Sequence, residues 1–168
     1  VGHDGEERRV TAIEPSSGGG VRVRLDLEEA EVLRKLVEEM LGVVRTNSGD
    51  DPVTKRLFPD AYDSPEDAAA YKELISNQLR SSKVSSLEAV RADLDNGEVD
   101  VTLSEETAGA WLTALTDLRL ALGTRLEMTE EKTAAEIDPQ DPIAPWYAIF
   151  HWLGWLQESM LEAVNPST

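Results

Sequence analysis

The chain has 168 residues, 33 acidic against 16 basic side chains, a formal net charge of -17 and no cysteine. That field repels phosphate backbones and anionic membrane surfaces and favours a basic protein partner, so direct nucleic-acid or membrane binding is not expected. The missing thiols exclude disulfides, cysteine nucleophiles, thiol switches and cysteine-based metal sites.

Residues 1–7 are short, polar and glycine-bearing, and read as a disordered tail. A single domain is expected over 8–165. Val21, Val23 and Leu25 alternate with Arg22 and Arg24 after the turn-forming run Pro15 to Gly20, which predicts a β-hairpin over 8–26 with one buried face. Asp26 and Glu29 have the spacing of a capping box, and Leu33, Leu36, Val37, Met40, Leu41 and Val44 form the stripe of the helix behind it. Asn47-Ser48-Gly49 ends that helix. Asp50 to Asp63 reads as a loop, apolar enough at Leu57, Phe58 and Tyr62 to pack down onto the body.

Ser64-Pro65-Glu66-Asp67 starts a second helix, whose inward side is Tyr71, Ile75 and Leu79. Ser85 and Glu88 offer another capping box, so a separate short helix with Val84, Leu87, Val90 and Leu94 is expected after it. Asn96-Gly97 is a turn signal. Val99, Val101 and Leu103 alternate with polar residues and predict a strand beside the hairpin. Ser104 caps the next helix, with Glu105 and Glu106 in its positive first turn. Residues 129–142 read as an acidic linker. Pro142 or Pro145 then opens a last helix that is apolar almost all round, from Ile143 through Trp146, Phe150, Trp152 and Trp155 to Leu156. Such a helix is expected to be central or covered by a partner. The fold class predicted is mainly α: a compact bundle of four to five helices with an N-terminal β-hairpin packed on one side.

Two features stand out as candidate sites. At about 100° per residue, Ala108, Trp111, Leu112, Leu115, Leu118, Leu122 and Leu126 share a face, and Arg119 falls on it. A guanidinium keeps its charge when buried, so it needs an acid or several carbonyls around it. A structural ion pair with Asp60, tying down the apolar loop, is the expected arrangement. The alternative is that Arg119 lines a groove for an acidic ligand or partner. The second feature is Trp146, Phe150, Trp152 and Trp155, which belong to the core or to a partner interface, a homodimer included. His151 has no nucleophile or orienting acid placed by its spacing, and the acidic pairs, Glu105/Glu106 among them, match neither a di-iron nor a calcium pattern. No metal, cofactor or catalytic residue is predicted. No apolar run approaches the length of a membrane span and no signal peptide is visible, so the expected compartment is the cytoplasm.

The segment K-R-L-F-P-D-A-Y at 55–62, followed by W-L-T-A-L-T-D-L-R-L-A-L-G-T-R-L at 111–126, resembles the actinobacterial AosR-type family, long catalogued as a domain of unknown function. The likeness runs from the hairpin through the last helix. Genes of that family lie beside the Clp adaptor ClpS and cysteine-biosynthesis genes. The resemblance implies a non-enzymatic cytoplasmic regulator that works through protein contact with an extracytoplasmic-function sigma factor in stress response. An accessory role in Clp proteolysis, or a small-ligand binder or enzyme using Arg119 and nearby acids, are the alternatives. The redox-sensing version of the family uses a pair of cysteines, and this chain has none, so that switch is not carried over.

Overall fold

The computed structural model describes residues 11–46, 51–58, 69–95, 97–128 and 137–166. The tail 1–7, Asp60, the Ser64–Asp67 helix start, the side chain of Tyr71 and most of the acidic linker lie outside the described residues.

Strands β1 (Ala12–Pro15) and β2 (Val21–Leu25) form the expected hairpin, with Ala12 opposite Arg24 and Pro15 opposite Val21. Strand β3 (Val99–Leu103) adds antiparallel to β2, Val21 facing Leu103 and Leu25 facing Val99, and completes a sheet of order β1-β2-β3. Alternation sorts its faces. Val21, Val23, Leu25, Val99 and Leu103 are buried, while on the outer face Arg22 reaches diagonally to Asp100 with Nε and Nη2 each 2.9 Å from a carboxylate oxygen. That bond and the charge of Asp100 hold the Arg22 pKa above its ordinary value. Gly20 permits the turn between β1 and β2. Its φ is +83°, and a Cβ there would stand 2.1 Å from the Leu103 carbonyl oxygen, so no other residue fits without moving β3.

Helix α1 (Leu27–Thr46) begins with the reciprocal cap read from the sequence: the Asp26 amide donates to Glu29 Oε1 at 3.1 Å and the Glu29 amide donates to Asp26 Oδ1 at 2.8 Å. Leu33, Val37, Met40, Leu41 and Val44 are buried and Leu36 is half-buried. The loop expected from Asp50 to Asp63 is instead interrupted by a short helix, α2 (Pro52–Leu57). Its signal is local. Asp51 Oδ1 accepts from the Val53 amide at 2.9 Å and Pro52 occupies the first turn, the same cap-proline signature seen at Ser64-Pro65. One and a half turns are too few for an apolar period to show. Val53, Leu57 and Phe58 do pack down, each nearly sealed from solvent.

The two helices expected between Tyr71 and Leu94 are one, α3 (Ala69–Asp93). No glycine or proline breaks that stretch, so Ser85 lies mid-helix and exposed rather than at a cap. Glu88 does not turn back to Ser85 but pairs with Arg45 of α1. Helix α4 (Glu105–Arg125) starts at Ser104, whose Oγ accepts from the Thr107 amide at 3.1 Å. Replacing Ser104 by Ala is expected to lower stability by about 1 kcal/mol in chemical denaturation, the usual loss for a cap hydroxyl. Helix α5 (Ala144–Val164) carries Pro145 in its first turn, the second of the two predicted starts.

Helix α4 is central: α1, α2, α3 and α5 all pack on it and β3 leads into it. Helix α5 runs alongside α4 and the β1–β2 hairpin. The buried side chains Val23, Leu33, Leu87, Val99, Trp111, Leu115, Leu153 and Met160 join helices and sheet in one apolar cluster. The five helices and the small sheet among the described residues are the architecture expected from the sequence. Among the described residues no helix is long and apolar enough to cross a membrane.

Candidate functional site

The buried arc of α4 is not centred where the leucines suggested. Ala114, Asp117 and Ala121 are buried together with Trp111, Leu115, Leu118 and Leu122, whereas Leu112, Arg119 and Leu126 are only half-buried. The arc is rotated toward the alanines, which lie two turns apart and let α4 approach its neighbours closely. As a result Asp117 stands at one edge of the arc, facing α3, and Arg119 at the other, facing α5.

At the α3 edge, Asp117 Oδ1 accepts from Lys83 Nζ at 2.8 Å, and both side chains are nearly enclosed, with 7% and 12% exposure. Asp117 Oδ2 is buried with no hydrogen-bond partner among the described residues. Burial pushes the Asp117 carboxyl above its ordinary value, and the hydrogen bond and charge of Lys83 pull it back only in part. Nearly two turns toward the N-terminus, Trp111 Nε1 donates to Asp93 Oδ2 at 2.9 Å, a second polar tie between α3 and α4. Residue order alone does not single out this buried pair, because an Asp between leucines looks like the solvated edge of a helix. The available signal is its place beside Ala114 and Ala121 on the arc.

At the α5 edge, Arg119 lies over the Phe150 ring with its guanidinium carbon 4.7 Å from the centroid. Each helix receives a side chain of the other at a glycine. A Cβ on Gly123 would stand 3.0 Å from Phe150, and one on Gly154 would stand 3.1 Å from Arg119 Nε. Among the described residues that buried Nε has no hydrogen-bond partner and Arg119 has no carboxylate beside it. Asp60, its expected partner, lies outside the described residues. Arg119 opens onto a cleft of about 460 Å³ between α2, α4 and α5, which Arg56 also lines.

The four aromatic residues of α5 are dispersed. Phe150 is buried, Trp152 is half-buried with its Nε1 enclosed and without a hydrogen-bond partner among the described residues, and Trp146 and Trp155 are 44% and 45% exposed. At about 100° per residue, the nine residues from Trp146 to Trp155 bring them to opposite sides of the helix. Trp155 shares its side with the exposed His151 and Glu158. The His151 ring meets the edge of Phe150 at a centroid distance of 5.6 Å. Among the described residues no group of three or more His, Asp or Glu side chains is placed to hold a metal ion.

Trp146 instead stands at the mouth of a second and larger cavity, about 700 Å³, between α1, α2 and α4. Leu36, Met40, Val43, Val53, Leu118 and Leu122 supply its walls, and Glu39, Thr46 and Arg125 its polar rim. Arg125 is drawn toward Asp51 across the rim, with 3.9 Å between their charged atoms. Gly42 borders the groove with open space where its Cβ would be.

Comparison with known proteins places this molecule among bacterial relatives of similar length. A Mycobacterium tuberculosis (strain H37Rv) protein named "Oxidative stress regulator AosR" is 27% identical over 92% of this chain and 86% of its own. A Mycobacterium bovis protein of the same name matches equally well. A Mycobacterium leprae relative, also carrying the AosR name, is 26% identical over 94% of this chain and 88% of its own. No solved structure matches. The family model described as "Domain of unknown function (DUF2017)" covers residues 10–164, from the first strand to the end of α5, and the chain belongs to that family.

Proposed function

We propose that this protein is a non-enzymatic cytoplasmic regulator in stress response that acts by taking an amphipathic helix of a partner protein into the groove beside Trp146, and that the partner is an extracytoplasmic-function sigma factor. The observation that carries this reading is the groove itself. It is an apolar channel walled by three helices, open to solvent and with a half-exposed tryptophan at its mouth. A cleft of that kind suits a helix presenting apolar side chains at i, i+3 and i+7, with an aromatic anchor at the rim. The net charge of -17 favours a partner helix with basic flanks and speeds its approach. The names of the mycobacterial relatives support a regulatory role in oxidative stress. With no cysteine in the chain, the oxidant signal enters through the partner rather than through a thiol of this protein.

Gly42 provides the test. Arginine there meets open space, improves the helix propensity of α1, and sets a cation across the groove. Calorimetric titration of purified host sigma factors is expected to show saturable one-to-one binding. Gly42→Arg should weaken it by at least about tenfold, or roughly 1.4 kcal/mol, and Gly42→Ala should not. Binding by the Clp adaptor alone, self-association through the groove, or equal affinity of the arginine variant would each contradict the sigma-factor reading.

A further inference from the structure

The cleft beside Arg119 is a separate site, and it brings two cations together in an acidic molecule. Arg22, Arg24, Arg45, Lys83 and Arg125 all have acid partners. Arg56 and Arg119, like Arg34 and Arg80, have none among the described residues, and these two meet in one cleft of about 460 Å³. Arg119 is held in place there by the Phe150 face and the Gly154 gap, and only its Nε is sealed away. The neutral donors nearby are already engaged. The Thr116 hydroxyl donates to the Leu112 carbonyl at 2.7 Å, the Thr124 hydroxyl donates to the Leu120 carbonyl at 2.8 Å, and the Gln157 amide donates to Thr116. What the cleft offers a ligand is therefore positive charge in fork geometry from Arg119 and Arg56 beside apolar surface from Leu120 and Met128. Glu127, at the cleft edge with φ of +51°, disfavours a second negative group on that side.

We infer that this cleft binds a small organic anion, its carboxylate or phosphate monoester gripped by Arg119 and Arg56 and its apolar body set against Leu120 and Met128. The volume suits a ligand of metabolite size. The site is on the side of α4 away from the Trp146 groove, so it stands or falls independently of the partner reading.

Phenylacetate and phenyl phosphate are the probes, one for each acid group, with acetate, inorganic phosphate and sodium chloride at matched ionic strength as controls. The readout is the Arg119 Nε–H resonance, which burial should keep observable. One or both aryl anions are expected to shift it saturably, more tightly than the controls, and the tighter of the two identifies the acid class. Arg56→Gln, a change at an exposed side chain, should weaken that binding by about tenfold, the worth of one charge-assisted contact. Absence of a saturable shift with both aryl anions, a shift matched by sodium chloride, or unchanged affinity in Arg56→Gln would overturn the assignment.

Discussion

Replacing Lys83 by Met is expected to cost about 3–5 kcal/mol of folding stability, because it strands the enclosed Asp117 carboxylate without its counter-charge. The partner change alone is the harmful one. Lys83→Met combined with Asp117→Leu removes both charges and both desolvation penalties, and should return the protein to parental stability or above it. Urea denaturation of the two variants checks this directly, and a loss below about 1 kcal/mol in Lys83→Met would show the pair to be solvated.

The pH dependence has a definite sign. Asp117 binds its proton more tightly in the folded state than in the unfolded chain, since burial raises its pKa. In the window between the unfolded and folded values the native state holds more protons, so this group's contribution to stability falls as pH rises. Removing the Lys83 ammonium removes the influence that lowers the Asp117 pKa and widens that window. The deficit of Lys83→Met should therefore shrink as the solution is acidified toward the folded-state value.

Trp111→Ala is the second large effect. Trp111, in the first half of α4, is 1% exposed, and truncation there should cost about 3–5 kcal/mol through lost burial and the cavity left behind. Trp111→Phe retains most of the ring volume but strips Asp93 of its indole donor. Its expected cost is about 1–3 kcal/mol, the penalty of an unpartnered acceptor. Denaturation midpoints for the two variants separate volume from hydrogen bonding. Equal losses in both would mean that the Asp93 bond outweighs the packing.

Much of the scaffold could be read from residue order because its signals are local. The Asp26/Glu29 box, the Ser104 cap, the alternation of β2 and β3 and the stripe of α1 each reside within a few residues and survive in the folded molecule. What escaped depended on distant neighbours. Ser85 and Glu88 have capping spacing, but a cap also needs the chain to break there, and Glu88 is committed to Arg45 on another helix. The α4 arc looks centred on leucines because large apolar residues dominate any periodicity. The true centre lies toward Ala114 and Ala121, small residues whose value is close approach rather than hydrophobic area. That rotation puts Asp117 inside and leaves Arg119 at the cleft margin. The α5 tryptophans form one cluster in sequence, yet helical geometry divides Trp146 from Trp155, and only Trp146 borders the groove.

That division allows the sharpest test of the proposed mode of action. A photo-crosslinking amino acid placed at position 42, inside the groove, or at position 155, on the opposite side of α5, would be activated in host cells under oxidant stress. The expected result is a discrete adduct with a sigma factor from position 42 and none from 155. An adduct with that partner from position 155 alone, or no sigma-factor adduct from position 42, would contradict it.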